Sequence, residues 1–62
     1  MGRKELEDIT VSLLAETDKA WRIDDGKTQE WMPKSQCELE KNSDGTYTLT
    51  APVWLLTAKD LL

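Results

Sequence analysis

Apolar and polar residues alternate along much of the chain, with the two-residue period of half-buried β-strands. The first such segment is Ile9–Leu13, and its parity, if continued, places Ala15 on the inner face and Leu14 on the outer face. Because Leu14 does not fit a sheet that is buried on one side, it is a candidate for an outer contact. A second strand is predicted over Lys19–Asp24, with its large apolar residues on one face.

Two Asp-Gly pairs, Asp25-Gly26 and Asp44-Gly45, have the residues of tight turns and predict two antiparallel hairpins. Pro33 lacks the N–H that a strand ladder needs, so it stops the return strand of the first hairpin. Residues 34–36 then form a short connection to the second hairpin. The predicted strands of the two hairpins are Lys19–Asp24 with Thr28–Met32, and Cys37–Glu40 with Thr46–Thr50. The alternation places Ile23 and Leu49 on the inner faces of their strands, with the threonines of the last strand on its exposed face.

The apolar period becomes helical near the end of the chain, and it predicts a helix over about residues 53–62. Pro52 suits the first turn of such a helix. The residues expected to face the sheet are Trp54, Leu55, Ala58, Leu61 and Leu62. Val53 and Leu56 fall outside this stripe, so we expect the Leu56 edge to be open to a neighbouring molecule.

These elements predict one α+β domain that is mainly β. Five short antiparallel strands form a small SH3-like barrel or half-barrel, and the short C-terminal helix packs across it. We place this domain at residues 9–62 and interpret residues 1–8 as a polar lead-in, with one helical turn around Leu6. A chain of 62 residues buries only about 60% of its unfolded surface and is marginal alone. Since Leu14, Leu56 and Val53 are surplus to one core, we expect a homodimer.

The composition excludes most catalytic chemistry. With no histidine and one cysteine, Cys37, the chain cannot build a His/Cys zinc site or a Ser-His-Asp or Cys-His arrangement. Asp24-Asp25-x-Lys27 and Glu38-x-Glu40-Lys41 are faintly similar to the carboxylate-lysine sites of metal nucleases. We place the first in a turn and the second on a solvent face. The sequence therefore predicts a protein that is not an enzyme, with no catalytic residue, metal site or cofactor.

Charge and the N-terminal pattern bear on partners and location. Eight basic and twelve acidic residues leave a net charge of −4, which disfavours binding to nucleic acid phosphates. Residues 1–8 are charged and lack the apolar stretch of a signal peptide, and no apolar run is long enough to span a bilayer. We expect no membrane association and a cytoplasmic location, which also suits a lone thiol. Cys37 is predicted to point inward as a small apolar residue.

Several short motifs occur in a fixed order along residues 15–62. They are Glu16-Thr17-x-Lys19-Ala20, Trp31-Met32-Pro33-Lys34-Ser35-Gln36, Asp44-Gly45-Thr46, Trp54-Leu55 and Lys59-x-Leu61. This layout resembles a group of short bacterial and phage proteins with the pattern ET-KA … W-[LIM]-P-K-S-Q … WL-x-x-K-x-L. The resemblance covers about three quarters of the chain, and its most specific part is the segment 31–36. It implies a phage or mobile-element setting and no particular activity. The last motif of that group is closer to Lys-Gly-Leu, whereas this chain has Asp60 at the glycine position.

The segment 31–36 is the sharpest candidate for a binding site. An indole ring can stack on a ligand, an ammonium group can bind phosphate or carboxylate, and hydroxyl and amide groups add directional hydrogen bonds. The candidate residues are Trp31, Pro33, Lys34, Ser35 and Gln36. The alternative interpretation makes Trp31 a core residue, Ser35 a helix cap and Lys34 a solvated surface charge.

The tryptophans suggest a second region of contact. In a chain without Phe, Trp21 and Trp54 are interpreted first as core fillers, and Trp54 also as a border of a partner surface together with Leu56. The first functional hypothesis is a phage accessory protein that binds a host or phage protein and counters a host defence. The alternatives are a protein that sequesters a nucleotide, with Trp31 on the base and Lys34 on phosphate, and a binder of single-stranded nucleic acid. Acidic mimicry of nucleic acid is a further alternative.

Overall fold

The computed structural model describes residues 5–62, which form five strands and one short helix. The elements are β1 (Leu6–Glu16), β2 (Ala20–Asp24), β3 (Gln29–Pro33), β4 (Glu38–Lys41), β5 (Tyr47–Pro52) and α1 (Val53–Ala58). All strand pairs are antiparallel, and the order across the sheet is β3-β2-β1-β5-β4. The prediction of a mainly β domain with five antiparallel strands and a C-terminal helix is confirmed.

β1 is the central strand and serves both hairpins. Its first half, Leu6–Val11, pairs with β5, and its second half, Ser12–Glu16, pairs with β2. The interpretation of residues 6–8 as a helical lead-in is therefore wrong, and its remaining part at residues 1–4 lies outside the described residues. The Thr50 hydroxyl donates a hydrogen bond to the Asp8 carboxylate at 2.6 Å, so a charged residue is accommodated on the solvent face of this strand.

A β-bulge interrupts the second half of β1. Leu13 lies opposite Ile23 and Ala15 lies opposite Arg22, so Leu14 is the extra residue. Leu14 is 45% exposed, as its misfit predicted. The expectation that Ala15 points inward is wrong, because one inserted residue shifts the following side chains to the other face.

The five-stranded sheet is open but strongly curled. β3 and β4 are its two edges, and only residues 34–37 join them along the chain. The edges of a flat five-stranded sheet lie about 19 Å apart, whereas this link spans about 17 Å when fully extended. A turn in which the Gln36 N–H donates to the Pro33 carbonyl, at 3.1 Å, shortens the link further. The two halves of the sheet therefore face a common core, without the closure that a barrel requires.

The core draws residues from every strand pair and from the helix. Its fully buried large side chains are those of Ile23, Met32, Leu49 and Leu56, and Cys37 is buried beside them. The inward orientation predicted for Ile23, Cys37 and Leu49 is confirmed. Within residues 5–62, no helix has the length and apolar character needed to cross a membrane.

The helix is shorter than predicted because it ends in a tight backbone turn. α1 contains six residues, and Asp60 has a left-handed backbone with φ of +61°. The Leu61 N–H donates to the Leu56 carbonyl at 2.8 Å, and the Asp60 N–H donates to the Thr57 carbonyl at 3.1 Å. These are the two hydrogen bonds of a Schellman motif. The turn brings Leu61 back onto the core.

The rotation of α1 about its axis also differs from the prediction. Leu55 and Leu56 are buried, whereas Trp54 is 60% exposed, and Ala58 and Leu62 also face solvent. The expectations that Trp54 packs on the sheet and that Leu56 is open to a neighbour are both wrong. The helix follows β5 with no intervening loop, so the direction of the buried strand end sets its rotation. The fully buried Leu56 cannot contact a partner.

Candidate functional site

The segment predicted as a binding site is divided between two faces of the sheet. Trp31 and Met32 are neighbours on β3, and successive side chains of a strand point to opposite faces. Met32 is fully buried, whereas Trp31 is 39% exposed. The alternative interpretation of Trp31 as a core residue is therefore wrong, because Met32 takes the core position.

Trp31 forms a pair with Arg22 on the outer face of the sheet. The two residues lie directly opposite each other on β3 and β2. The guanidinium carbon of Arg22 is 5.7 Å from the centre of the Trp31 ring, which is within range for a cation–π interaction. Arg22 also donates from Nη2 to Oε1 of Gln29 at 3.0 Å. These contacts hold the cation beside an exposed aromatic ring.

Arg22 was not among the residues predicted for this site from the sequence. The pairing follows from the hairpin register, since Arg22 and Trp31 each lie three residues outside the turn Asp25–Thr28. A two-residue turn at Asp25-Gly26 would instead have placed Arg22 opposite Gln29. Residues placed symmetrically about a hairpin turn lie side by side on the same face. The predicted site was a continuous segment of the chain, Trp31–Gln36, whereas the contact between Arg22 and Trp31 joins two neighbouring strands.

Lys34 lies on the other side of the sheet from Trp31. Its ammonium nitrogen is 2.5 Å from Oε2 of Glu16 and 5.4 Å from the centre of the Trp21 ring. Glu16 and Trp21 are cross-strand neighbours in the row that contains the buried Met32. The structure therefore does not bring Trp31 and Lys34 together in the way that the nucleotide hypothesis requires.

The rest of the motif borders a surface cleft of about 390 Å³. The lining residues are Leu6, Lys34, Ser35, Gln36, Cys37, Glu38 and Thr50. Hydroxyl, amide and carboxylate groups thus surround the cleft, while Trp31 and Trp54 do not line it. Pro33 lies at the end of β3, half-buried, where its carbonyl accepts the hydrogen bond that starts the connecting turn.

The two remaining tryptophans differ in exposure. Trp21 is half-buried and packs against the core, which agrees with its interpretation as a filler. Trp54 lies in the first turn of α1 with most of its side chain exposed. Two of the three tryptophans in the chain thus present their rings to solvent.

The carboxylates of the first candidate nuclease motif, Asp24 and Asp25, have structural partners. Oδ1 of Asp25 accepts hydrogen bonds from the N–H groups of Lys27 and Thr28, at 2.9 and 2.8 Å, and these bonds lower the Asp25 pKa. Oδ1 of Asp24 likewise accepts from the Gly26 N–H at 2.8 Å. Within residues 5–62, no group of three or more Cys, Asp or Glu side chains is arranged to hold a metal ion.

Cys37, the residue just before β4, is buried, and this burial raises the pKa of its thiol. Lys59 opposes the increase only in part. A thiol with a raised pKa is protonated at neutral pH and is a poor nucleophile. The interpretation of Cys37 as a small apolar core residue agrees with this placement.

The chain matches no protein-family model, no curated protein and no solved structure. The resemblance of its motifs to short phage and bacterial proteins stays a prediction from the sequence. The exposed tryptophans, Arg22 and the cleft are therefore the features of residues 5–62 that bear on function.

Proposed function

We propose that this protein is a small non-enzymatic accessory protein that acts by binding another protein. In this proposal the curled sheet is an SH3-like half-barrel scaffold, and its outer face carries Trp31. The setting is the phage or mobile-element context implied by the sequence resemblance, with a host or phage protein as the partner and interference with a host defence as the result. The observation that carries the proposal is the exposure of Trp31 and Trp54.

Because these rings are exposed, the folded monomer does not gain the free energy that their burial would provide. Burying a large apolar side chain is worth roughly 1.5–3 kcal/mol. The core instead uses smaller residues such as Met32 and Leu56, which are fully buried. A partner that covers Trp31 or Trp54 would recover this energy, and tryptophan is enriched among the residues that dominate protein interfaces.

The polar groups of the molecule support binding over catalysis. Lys34 is held by Glu16, the carboxylates of Asp25 and Asp44 accept hydrogen bonds in the turns, and the thiol of Cys37 is buried. A general acid, base or nucleophile needs a free group that can reach a substrate atom. This pattern is the basis for proposing a protein that is not an enzyme.

Crosslinking in bacterial cells tests the proposal. A photoreactive benzoylphenylalanine is introduced in place of Trp31 or Trp54, and in place of the exposed Thr10 as a matched control. We expect a discrete protein adduct at position 31 or 54 and none at position 10. The captured protein is then purified, and its affinity is measured for the wild type, Trp31→Lys and Trp54→Lys.

The proposal expects at least one lysine substitution to weaken this affinity by about 30-fold, the effect of losing a dominant interface residue. Identical adducts at all three positions would contradict it. So would a captured protein whose affinity is unchanged by both substitutions.

The cleft beside Lys34 favours a second candidate function, the binding of a small polar ligand such as a nucleotide. Ser35 and Gln36 line this cleft and could donate hydrogen bonds to the ligand. Saturable quenching of tryptophan fluorescence by a nucleotide, lost in Lys34→Ala, would support this candidate. No response across a panel of nucleotides would remove it.

The expected homodimer stays a prediction, and Leu56 no longer supports it. Leu14 remains exposed and available for contact between copies, whereas Leu56 is buried in the core. Sedimentation at tens of micromolar protein tests it. A monomer that unfolds at an ordinary temperature would contradict the expectation of self-association.

A further inference from the structure

We infer that the partner docks as an extended acidic segment of another protein, which adds a strand to the free edge of β3 and places a carboxylate against Arg22. This inference rests on the proposed function, since it specifies how a protein partner meets the Trp31 surface. It combines the hydrogen-bond pattern of β3, the contacts of Arg22 and the charges of the neighbouring strands.

The hydrogen bonds of the first hairpin show which backbone groups of β3 face outward. At one end the Lys34 N–H donates to the Lys19 carbonyl at 2.8 Å, and at the other the Asp25 N–H donates to the Thr28 carbonyl at 3.1 Å. Because ladder bonds alternate along an antiparallel pair, every second residue of β3 turns its N–H away from β2. These residues are Gln29, Trp31 and Pro33, as the register of β2 and β3 requires.

β3 is an edge strand, so these outward groups are available for strand addition. The N–H groups of Gln29 and Trp31 can bind the carbonyls of an added strand. Pro33 has no N–H, and its place on the outward side is the one that a proline tolerates in a sheet. It also limits the added strand to a short register beside Gln29 and Trp31.

Arg22 supplies the charge that selects the added strand. Lys34 and Lys59 have carboxylate partners, Glu16 and Glu30, whereas Arg22 forms no ion pair among residues 5–62. A strand added to β3 lies about 10 Å from β2. The Arg22 guanidinium contacts Trp31 and Gln29, both on β3, so it already reaches across to the strand beside which the new strand would lie. A carboxylate on the outer face of the added strand can then accept hydrogen bonds from the guanidinium.

A second copy of this chain fits the edge less well. If two β3 strands pair through Gln29 and Trp31, the residues opposite each other at the centre are two copies of Glu30, and like charges across strands are destabilising. The side chains that β3 would offer to Arg22 are Gln29 and Trp31, neither of which is acidic. β4 does carry Glu38 and Glu40 on its outer face, but β3-to-β4 contacts would join copies head to tail, in a ring or an open filament and not in a symmetric dimer.

Selection from a random peptide library tests the inference. Displayed nonapeptides are selected against the wild type, against Arg22→Glu, and against Lys27→Glu, which makes the same charge change in the adjacent turn. We expect the wild type and Lys27→Glu to enrich peptides with Asp or Glu at alternate positions. Arg22→Glu is expected to weaken the best peptide by about 30-fold or more.

The best peptide is then synthesised with methyl groups on alternate backbone amides. In strand addition, one set of amides faces β3 and the other faces solvent. Methylating the first set is expected to abolish binding, and methylating the second is expected to preserve it. The methylation experiment changes only the peptide and uses the wild-type protein, so its result can be interpreted even if Arg22→Glu fails to fold.

Four results would overturn the inference. The first is selection of the same peptides by the wild type and a folded Arg22→Glu, and the second is equal tolerance of both methylation sets. The third is concentration-dependent self-association that Glu40→Lys abolishes, since a second copy would then occupy the edge. Peptides that depend on Trp54 alone would also contradict it while leaving the proposed function intact. The proposed function itself fails on different results: identical adducts at positions 10, 31 and 54, or a partner affinity that both lysine substitutions leave unchanged.

Discussion

Asp60 shows how one residue sets the end of the helix. It holds a left-handed backbone at the position after the helix cap, where glycine is preferred because it has no Cβ. Aspartate is one of the few other residues that visit this conformation, at some cost in free energy.

We predict that Asp60→Gly raises the free energy of unfolding by about 0.5–1 kcal/mol, since glycine adopts the left-handed backbone without strain. The matched control, Asp60→Ala, is expected to lower it, because alanine gains no local hydrogen bond at positive φ. Urea denaturation followed by tryptophan fluorescence measures both. Equal stability of the three proteins would contradict this account of the turn.

At the level of single residues, sequence periodicity predicted orientation well inside strands and poorly in the helix. Ile23 and Leu49 lie on the predicted inner face, because a two-residue period leaves little freedom in a paired strand. Trp54 was expected to be buried and is exposed, whereas Leu56 was expected to be exposed and is buried. In a helix of six residues, the direction in which the preceding strand enters the helix determines which side is buried. The pattern of apolar residues does not contain this information.

At the level of elements, the two hairpin turns were predictable from their Asp-Gly pairs. Gly26 and Gly45 have φ of +102° and +92°, values that glycine adopts readily. Oδ1 of Asp44 accepts hydrogen bonds from the N–H and the hydroxyl of Thr46, and these lower the pKa of Asp44 as the turn amides lower that of Asp25. The turns and the strands beside them are confirmed to within two residues.

The turn carboxylates predict a loss of stability in acid. Their pKa values are lower in the folded protein than the ordinary 3.8, so the unfolded chain binds more protons near that pH. The stabilisation is complete above the ordinary pKa and is lost as the pH falls through the lowered values. We expect the urea midpoint of the wild type to fall between about pH 5 and pH 3.

The double variant Asp25→Asn with Asp44→Asn isolates this effect. Asparagine keeps an oxygen that can accept the turn hydrogen bonds, but it does not titrate. The midpoint of the variant should therefore fall less with acid than that of the wild type. Parallel decline of the two proteins would show that other carboxylates cause the loss.

The extent of β1 was the element that sequence reasoning missed. Its first residues read Leu6-Glu7-Asp8, a charged segment that does not look like a strand. It becomes one because β5 offers a paired edge and Thr50 bonds Asp8. The bulge at Leu14 was equally hidden, since only pairing with β2 reveals which residue is inserted.

At the level of the whole molecule, local signals predicted the number of strands but not their order. The pairing of β1 with β5 joins residues about forty positions apart, such as Asp8 and Thr50, and no short-range pattern specifies it. The pairing of β1 with β5 also gives the sheet its curl, which sets the face of β3 that points away from the core. The composition of the candidate site follows from this arrangement of the strands, because Trp31 lies beside Arg22 and Lys34 lies beside Glu16.

Fluorine NMR of the whole protein tests most directly whether the exposed tryptophans are contact residues. Labelling with 5-fluorotryptophan gives one signal for each of Trp21, Trp31 and Trp54, and tryptophan-to-phenylalanine variants assign them. On addition of the protein captured by crosslinking, the account predicts that the Trp31 signal shifts or broadens while the Trp21 signal stays in place. A saturated complex in which the Trp31 and Trp54 signals are both unchanged would contradict it.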